Sequence, residues 1–325
     1  MKVINIILAA AVAITVAAAP GCSLLKKRVE KTENVKFKVS PAGKTAFVIE
    51  NTNGKINIIG VTDSSASIEI EAEITAQVKH DELDKPIENV TIKIDSSGSN
   101  VAIETQINRT NSGLFRNNNA PEVNYNIRIP AGMKVKTETV NGSITITRVN
   151  GDIKSESVNG RMNILGCPGF LELESVNGTV ICNIDSVTAG INVNVTNGEV
   201  KIGGLKKVNA EVRASTIHGK VTVKDLEFSE VTNGKKSLNG ILGTGGNQIR
   251  VEAVNGKITF DASKFVPKKD DSFELKIDFD DEEPIIINGK KNKNGDIDVN
   301  ISGEENSSDE TKEQQADSVK RPENK

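Results

Sequence analysis

A two-residue corner, Asn-Gly, returns between residues 141 and 256 of this 325-residue chain at nearly even intervals. It stands at Asn141-Gly142, Asn159-Gly160, Asn177-Gly178, Asn197-Gly198, His218-Gly219, Asn239-Gly240 and Asn255-Gly256, giving successive spacings of 18, 18, 20, 21, 21 and 16 residues. A β-branched or aliphatic residue precedes each corner. In most copies an apolar-polar alternation follows, as in Val140-Asn141-Gly142-Ser143-Ile144-Thr145-Ile146. Near-constant periods of about twenty residues belong to stacked supersecondary units, each burying its apolar side against its neighbours.

Each repeat has two arms. Before the corner the apolar positions include Val135, Ile153, Leu171 with Leu173, and Ile191 with Val193. After it they include Ile144 with Ile146, Met162 with Ile164, Val180 with Cys182, and Ile258 with Phe260. Both arms alternate with period two, so each reads as a strand with one buried face. Small or turn residues at Gly151, Gly169, Gly190, Ala210 and Asn247 mark a second, weaker corner. In an ordinary hairpin Asn-Gly joins antiparallel neighbours. Here the same half-patterns recur one whole period later, which favours strands paired in parallel with the copies above and below. The expected fold is all-β: a single-stranded β-solenoid over residues 131–262, with capping strands at its ends. The corner is expected to need positive φ, which Gly adopts freely and Asn tolerates. One Asn per rung also lets amides bond along the axis. His218 fills an Asn slot and reads as a corner residue rather than a catalytic one.

Three blocks occur in a fixed order: Phe47-Val48-Ile49-Glu50-Asn51-Thr52-Asn53-Gly54-Lys55-Ile56, then Tyr125-Asn126-Ile127-Arg128-Ile129-Pro130-Ala131-Gly132, then the Asn-Gly-x-Ile repeats. In that order they resemble the bacterial "putative-adhesin" β-helix family, a domain of unknown function, across residues 35–262. The resemblance implies a right-handed β-helix. It implies no catalytic residues.

The chain divides further by composition. Residues 1–21 carry Lys2, a run of Ala, Val and Ile, and small residues at the end, as a secretory signal does. Gly21-Cys22 has the form of a lipoprotein cleavage site, with Cys22 lipidated, although Ala19 replaces the usual Leu and Pro20 follows it. Ordinary cleavage near Ala19 is the alternative and leaves Cys22 free. Residues 22–33, with Lys26, Lys27, Arg28 and Lys31, read as a tether that either rests on anionic head groups or is a solvated spacer. Residues 34–130 read as β strands that continue and cap the solenoid, with a protruding loop from Thr110 to Pro121. His80-Asp81-Glu82 reads as a charged turn rather than a metal site. Residues 263–302 read as capping strands, because an open solenoid end exposes unpaired strand groups. Residues 303–325 have almost nothing to bury and read as disordered.

A net charge of -3, from 41 basic and 44 acidic residues, gives no reason to expect nucleic acid as a partner. The sequence contains no CxxC, HExxH, P-loop or GxSxG motif. Cys167 and Cys182 either form a bridge between rungs or remain two buried thiols. Three positions before successive corners stand Glu138, Glu156 and Glu174, then Asn194 and Ser215, all expected on the outside. Carboxylates stacked about 4.8 Å apart repel. Lys136 and Lys154 offset them as ordinary surface pairs, or a Ca²⁺ ion bridges Glu156 and Glu174 beside Glu172. No other cofactor is expected. Two function classes follow. One is a non-catalytic scaffold or adhesin-like module of the cell envelope, extracytoplasmic, held to the bilayer by its lipid, with an envelope protein or glycan as partner. The other is a polysaccharide-cleaving β-helix enzyme, disfavoured because the chain has no Trp and one Tyr to offer sugars a flat platform.

Overall fold

The computed structural model describes residues 28–108 and 120–265, together with the backbone of 275–279, 282–291 and 297–302. Cys22, the loop from Thr110 and the tail from residue 303 lie outside the described residues, apart from Ala120 and Pro121 at the end of the loop. The chain forms two compact units, Met1–Val266 and Pro267–Lys325. The described residues are all-β, and the helical turns among them, His80–Glu82 and Leu205–Lys207, are both of the 3-10 type.

In the first unit the N-terminal strands are β1 (Arg28–Val39), β2 (Ala46–Asn53), β3 (Ile56–Val61), β4 (Ile68–Lys79), β5 (Val90–Asp95), β6 (Asn100–Ile107) and β7 (Glu122–Pro130). The repeats give β8 (Lys134–Asn141), β9 (Ile144–Thr147), β10 (Ile153–Leu165), β11 (Leu171–Asn183) and β12 (Ile191–Gly203). Then come β13 (Ala210–Thr216), β14 (Lys220–Lys224), β15 (Phe228–Asn233), β16 (Ser237–Leu242) and β17 (Gln248–Asp261). The second unit holds β18 (Leu275–Phe279), β19 (Glu282–Lys291) and β20 (Ile297–Ser302) in one antiparallel sheet. Residues 28–33, expected in the tether, belong instead to β1, where Lys31 is buried and pairs with Glu33 at 2.7 Å.

The first unit is solenoid-like. β10, β11 and β12 stack in parallel with corner on corner, Asn159 opposite Asn177 and Asn177 opposite Asn197. β8 and β9 make the rung before β10, and β2 and β3 the rung before that. β6 and β7 lie beyond β2 and β3 in parallel. β4 covers β7, β1 covers β4 and β5 covers β6, all antiparallel. Beyond β12 the stacking order departs from chain order. β17 pairs with β12, and β13 with β14 pairs with the far side of β17. The chain therefore skips a slot after β12 and returns to fill it. Asn239-Gly240 is not a corner, a correction to the sequence reading. It lies inside β16, which runs antiparallel to β13 with Asn239 opposite Arg213, and β15 folds over β16 as a covering hairpin.

Buried aliphatic residues fill the interior, with Tyr125, Phe47 and Phe260 the largest fully buried side chains. Val135, Ile153, Leu171, Met162, Val180 and Ile258 all point inward, as their alternation predicts. Val221 and Val223 of the last rung are only partly buried. The corner Asn residues do not adopt positive φ. Among corner glycines Gly142, Gly160 and Gly198 do, at 154°, 147° and 150°, whereas Gly178, Gly219 and Gly256 do not. What every one of these glycines shares is closeness to the next rung. A Cβ on Gly178 would lie 1.8 Å from the Gly160 carbonyl oxygen, and one on Gly256 would lie 2.0 Å from that of Gly198.

Candidate functional site: an axial groove beside the Asn ladder

The corner amides form a continuous ladder. Each Nδ2 donates to Oδ1 of the preceding rung: Asn141 to Asn53 at 2.9 Å, Asn159 to Asn141 at 3.0 Å, and Asn177 to Asn159 at 3.1 Å. It continues with Asn197 to Asn177 at 2.9 Å and Asn255 to Asn197 at 2.8 Å. Asn53 ends the series on the Pro121 carbonyl at 3.3 Å. His218 stands beyond Asn255, where its backbone N–H bonds the Val254 carbonyl at 2.7 Å.

Beside the ladder runs a groove of about 710 Å³ along the stacking axis. The three residues before each corner build it. The nearest to the corner forms a mostly apolar wall: Val140, Val158 and Val176 are 43 %, 39 % and 43 % exposed, and Thr52 and Thr196 take the same place on two other rungs. The next points inward and forms the floor, and the third forms an acidic wall. Alternation along a strand explains the pattern, since residues one and three before the corner share a face while the one between them points to the other.

The acidic wall is longer than the sequence reading supplied. Register places Glu104, Glu50, Glu138, Glu156 and Glu174 on consecutive rungs, followed by Asn194, Glu252 and Ser215. Glu50 and Glu252 lie three residues before Asn53 and Asn255, so the same counting rule finds them once it is carried back to Asn53-Gly54 and on past Ser215 to Asn255-Gly256. Glu104 precedes no Asn-Gly, and only the pairing of β6 with β2 brings it into line.

Basic residues flank part of this wall. Lys136 pairs with Glu138 at 2.6 Å, and Arg250 with Glu252 at 2.6 Å. Lys154 reaches Glu172 at 2.8 Å and Glu156 at 3.3 Å, and these bonds hold its ammonium above the ordinary lysine range. Glu138 raises Lys136 in the same way. The ammonium of Lys154 thus supplies positive charge between Glu156 and Glu172, and among the described residues no three acidic, His or Cys side chains converge to hold a metal ion. The Ca²⁺ ligand set of Glu156, Glu174 and Glu172 is not assembled.

On the floor, Asn51, Thr139 and Ser157 are 5 %, 4 % and 4 % exposed. Asn51 Oδ1, Thr139 Oγ1 and Ser157 Oγ have no hydrogen-bond partner in the protein. They occupy one position on three consecutive rungs, since Asn51 pairs with Thr139 and Thr139 with Ser157. Further along the groove the floor turns apolar at Val195 and Ala253. Sequence reasoning missed these floor residues because a hydroxyl on an inward position looks like a small core residue.

The groove has little of a hydrolytic centre. Two carboxylates one rung apart approach the separation of about 5 Å used by retaining glycosidases. Acid and nucleophile need unlike surroundings, however, and here the surroundings repeat from rung to rung. No aromatic ring lines the groove. Cys167 and Cys182 are free and buried, away from it, with burial pushing the Cys167 thiol up to about 11.

Residues 27–261 match the family model described as Toastrack DUF4097. Among solved structures, a putative cell adhesion protein from Clostridium sporogenes ATCC 15579 is similar at 16 % identity and a TM-score of 0.40, over 71 % of this chain and 99 % of that one. A putative adhesin from Bacteroides fragilis NCTC 9343 is similar at 13 % identity and a TM-score of 0.31, over 71 % and 97 % of the two chains. No curated protein matches the sequence.

Proposed function

The chain belongs to the Toastrack DUF4097 family, and from that premise we propose that it is a non-catalytic binding module of the bacterial cell envelope. The module is a right-handed rod held outside the cytoplasm by a lipid on Cys22, and the axial groove is the face that meets an envelope partner. The observation that carries this reading is the groove itself: a β-branched residue, valine or isoleucine on most rungs and threonine at Thr52 and Thr196, one inward residue and one acidic or polar residue are offered again at rung after rung. A surface of that kind suits an extended partner. A catalytic site instead concentrates unlike groups at one point.

A photo-cross-linking residue at Val158 or Val176 tests the partner face in cells that make the protein. The expected result is one recurrent adduct from both positions and none from the exposed Lys206 on the 3-10 turn. Equal labelling from all three positions defeats the reading. Anchoring is tested separately: Cys22→Ala is expected to move the protein from the membrane fraction to the soluble one or to block its maturation. A wild-type protein recovered soluble, with an N-terminus other than residue 22, contradicts the anchor.

A further inference from the structure

The corner amides are not saturated by their own ladder. Each Nδ2 donates one of its two N–H groups to the preceding rung and each Oδ1 accepts one bond from the next. Every exposed amide from Asn141 to Asn197 therefore keeps one donor and one acceptor lone pair for a second partner. Beside them stand the exposed valines Val140, Val158, Val176 and Val254. A ligand that follows this edge must repeat with the rungs, at about 4.8 Å. An extended peptide laid along it repeats its same-face groups at about 6.8 Å and falls out of step. A second copy of this chain has the same repeat, and its amides offer the complementary donor and acceptor.

Charge fixes how two copies face each other. The acidic wall lies on one side of the ladder. On the other side, two places after the corner, stand Lys55, Arg161 and Lys257, on the rungs whose wall residues are Glu50, Glu156 and Glu252. On the rung where the wall residue is Asn194, that place is taken by Glu199. A two-fold axis parallel to the rods sets the acidic side of each copy against the basic side of the other, rung by rung. A two-fold axis perpendicular to them sets acidic wall against acidic wall, with Glu50 opposite Glu252, where like charges repel. We infer that the Asn-ladder edge is a homotypic interface, in which two copies stand side by side and parallel with their ladders in register. Lys55 of each copy meets Glu50 of the other; both are exposed, and among the described residues neither has an ion pair within the chain. The stem of Lys257 lies over Val254 of the second copy, while Glu138 and Glu156 keep Lys136 and Lys154. Parallel rods also put β1, the first described strand, at the same end in both copies, as two anchors in one bilayer require. The inference rests on the groove edge being the partner face proposed above, and it names that partner.

Analytical ultracentrifugation of the purified chain tests it. Wild type is expected to show a concentration-dependent equilibrium between monomer and dimer. Lys55→Glu and Glu50→Lys should each weaken the dimer at least roughly tenfold, because the two-fold axis repeats the altered pair. The double variant, Glu50→Lys with Lys55→Glu, should return to within about threefold of wild type. Lys206→Glu, on the 3-10 turn, should leave the equilibrium unchanged, and the melting temperature of the dilute monomer should be the same for all four variants. A photo-cross-linker at Val158 should join two copies, with the adduct at residues 159–161 of the second. The inference is overturned if wild type stays monomeric up to about 1 mM, if the double variant fails to recover, or if the adduct maps to another rung. It is overturned equally if Glu50→Lys alone tightens the dimer, as the perpendicular two-fold axis requires. A monomeric chain whose Val158 still cross-links a different protein removes the homotypic partner and leaves the binding face standing. The lack of any recurrent adduct at Val158 removes both.

Discussion

At Gly178 the backbone has no left-handed φ, yet a Cβ there would sit 1.8 Å from the carbonyl oxygen of Gly160 on the adjoining rung. Relief requires two in-register strands to move apart, so the penalty comes from the stack and not from the local conformation. Gly178→Ala is expected to destabilise by about 3 kcal/mol. Gly132→Ala, with nothing within 4 Å of the added carbon, is expected to change stability by less than about 0.5 kcal/mol. Denaturant unfolding of the two variants separates this account from one based on φ alone. The neighbouring Asn177 donates to Asn159 and accepts from Asn197. Because the ladder is exposed, Asn177→Ala should cost about 1 kcal/mol, read by the same unfolding curves.

Among the elements, β17 departs furthest from the order of the chain. It fills the slot between β12 and β13, so Asn197 faces Asn255 rather than His218. Asn255 continues the amide ladder, and the imidazole comes last in the stack. An engineered pair of cysteines tests the order. Adjacent rungs about 4.8 Å apart fall within disulfide reach, whereas rungs twice as far apart do not. The double variant Asn197→Cys with Asn255→Cys is expected to oxidise to a bridged monomer, and Asn197→Cys with His218→Cys to remain reduced. The opposite result, seen on a non-reducing gel, would restore the sequential order.

For the whole molecule the interior sets the response to alkali. Burial pushes the phenol of Tyr125 above its ordinary value of 10.0, although its 2.7 Å bond to Thr105 opposes this. Burial likewise pushes Cys182 and Cys167 above 9.0. In the unfolded chain these groups lose protons near their ordinary values, while in the folded protein they keep them. The unfolded state then binds fewer protons, so stability falls as pH rises past 9, by at most about 1.4 kcal/mol per pH unit for each group. The melting temperature is expected to fall between pH 9 and pH 11. Replacing both cysteines by Ala should flatten the first part of that fall; an unchanged slope would assign it to other groups.

Local periodicity was enough to determine strands, inward faces, corner glycines and the amide ladder, because each depends on a spacing of two residues or on a repeat of about twenty. It even located Glu138, Glu156 and Glu174, which share one place in consecutive copies. It did not determine which copies touch. That choice depends on strand pairings far apart in the chain, and β12 can satisfy its edge equally well with β13 or with β17 as far as alternation is concerned. Asn239 illustrates the limit: it has the corner pair but sits opposite Arg213 in an antiparallel strand, and its 16-residue distance to Asn255 was the available signal. The groove is a tertiary product for the same reason. Glu104 joins the acidic wall only through the pairing of β6 with β2, and the floor atoms of Asn51, Thr139 and Ser157 become an unsatisfied row only when β2, β8 and β10 lie side by side.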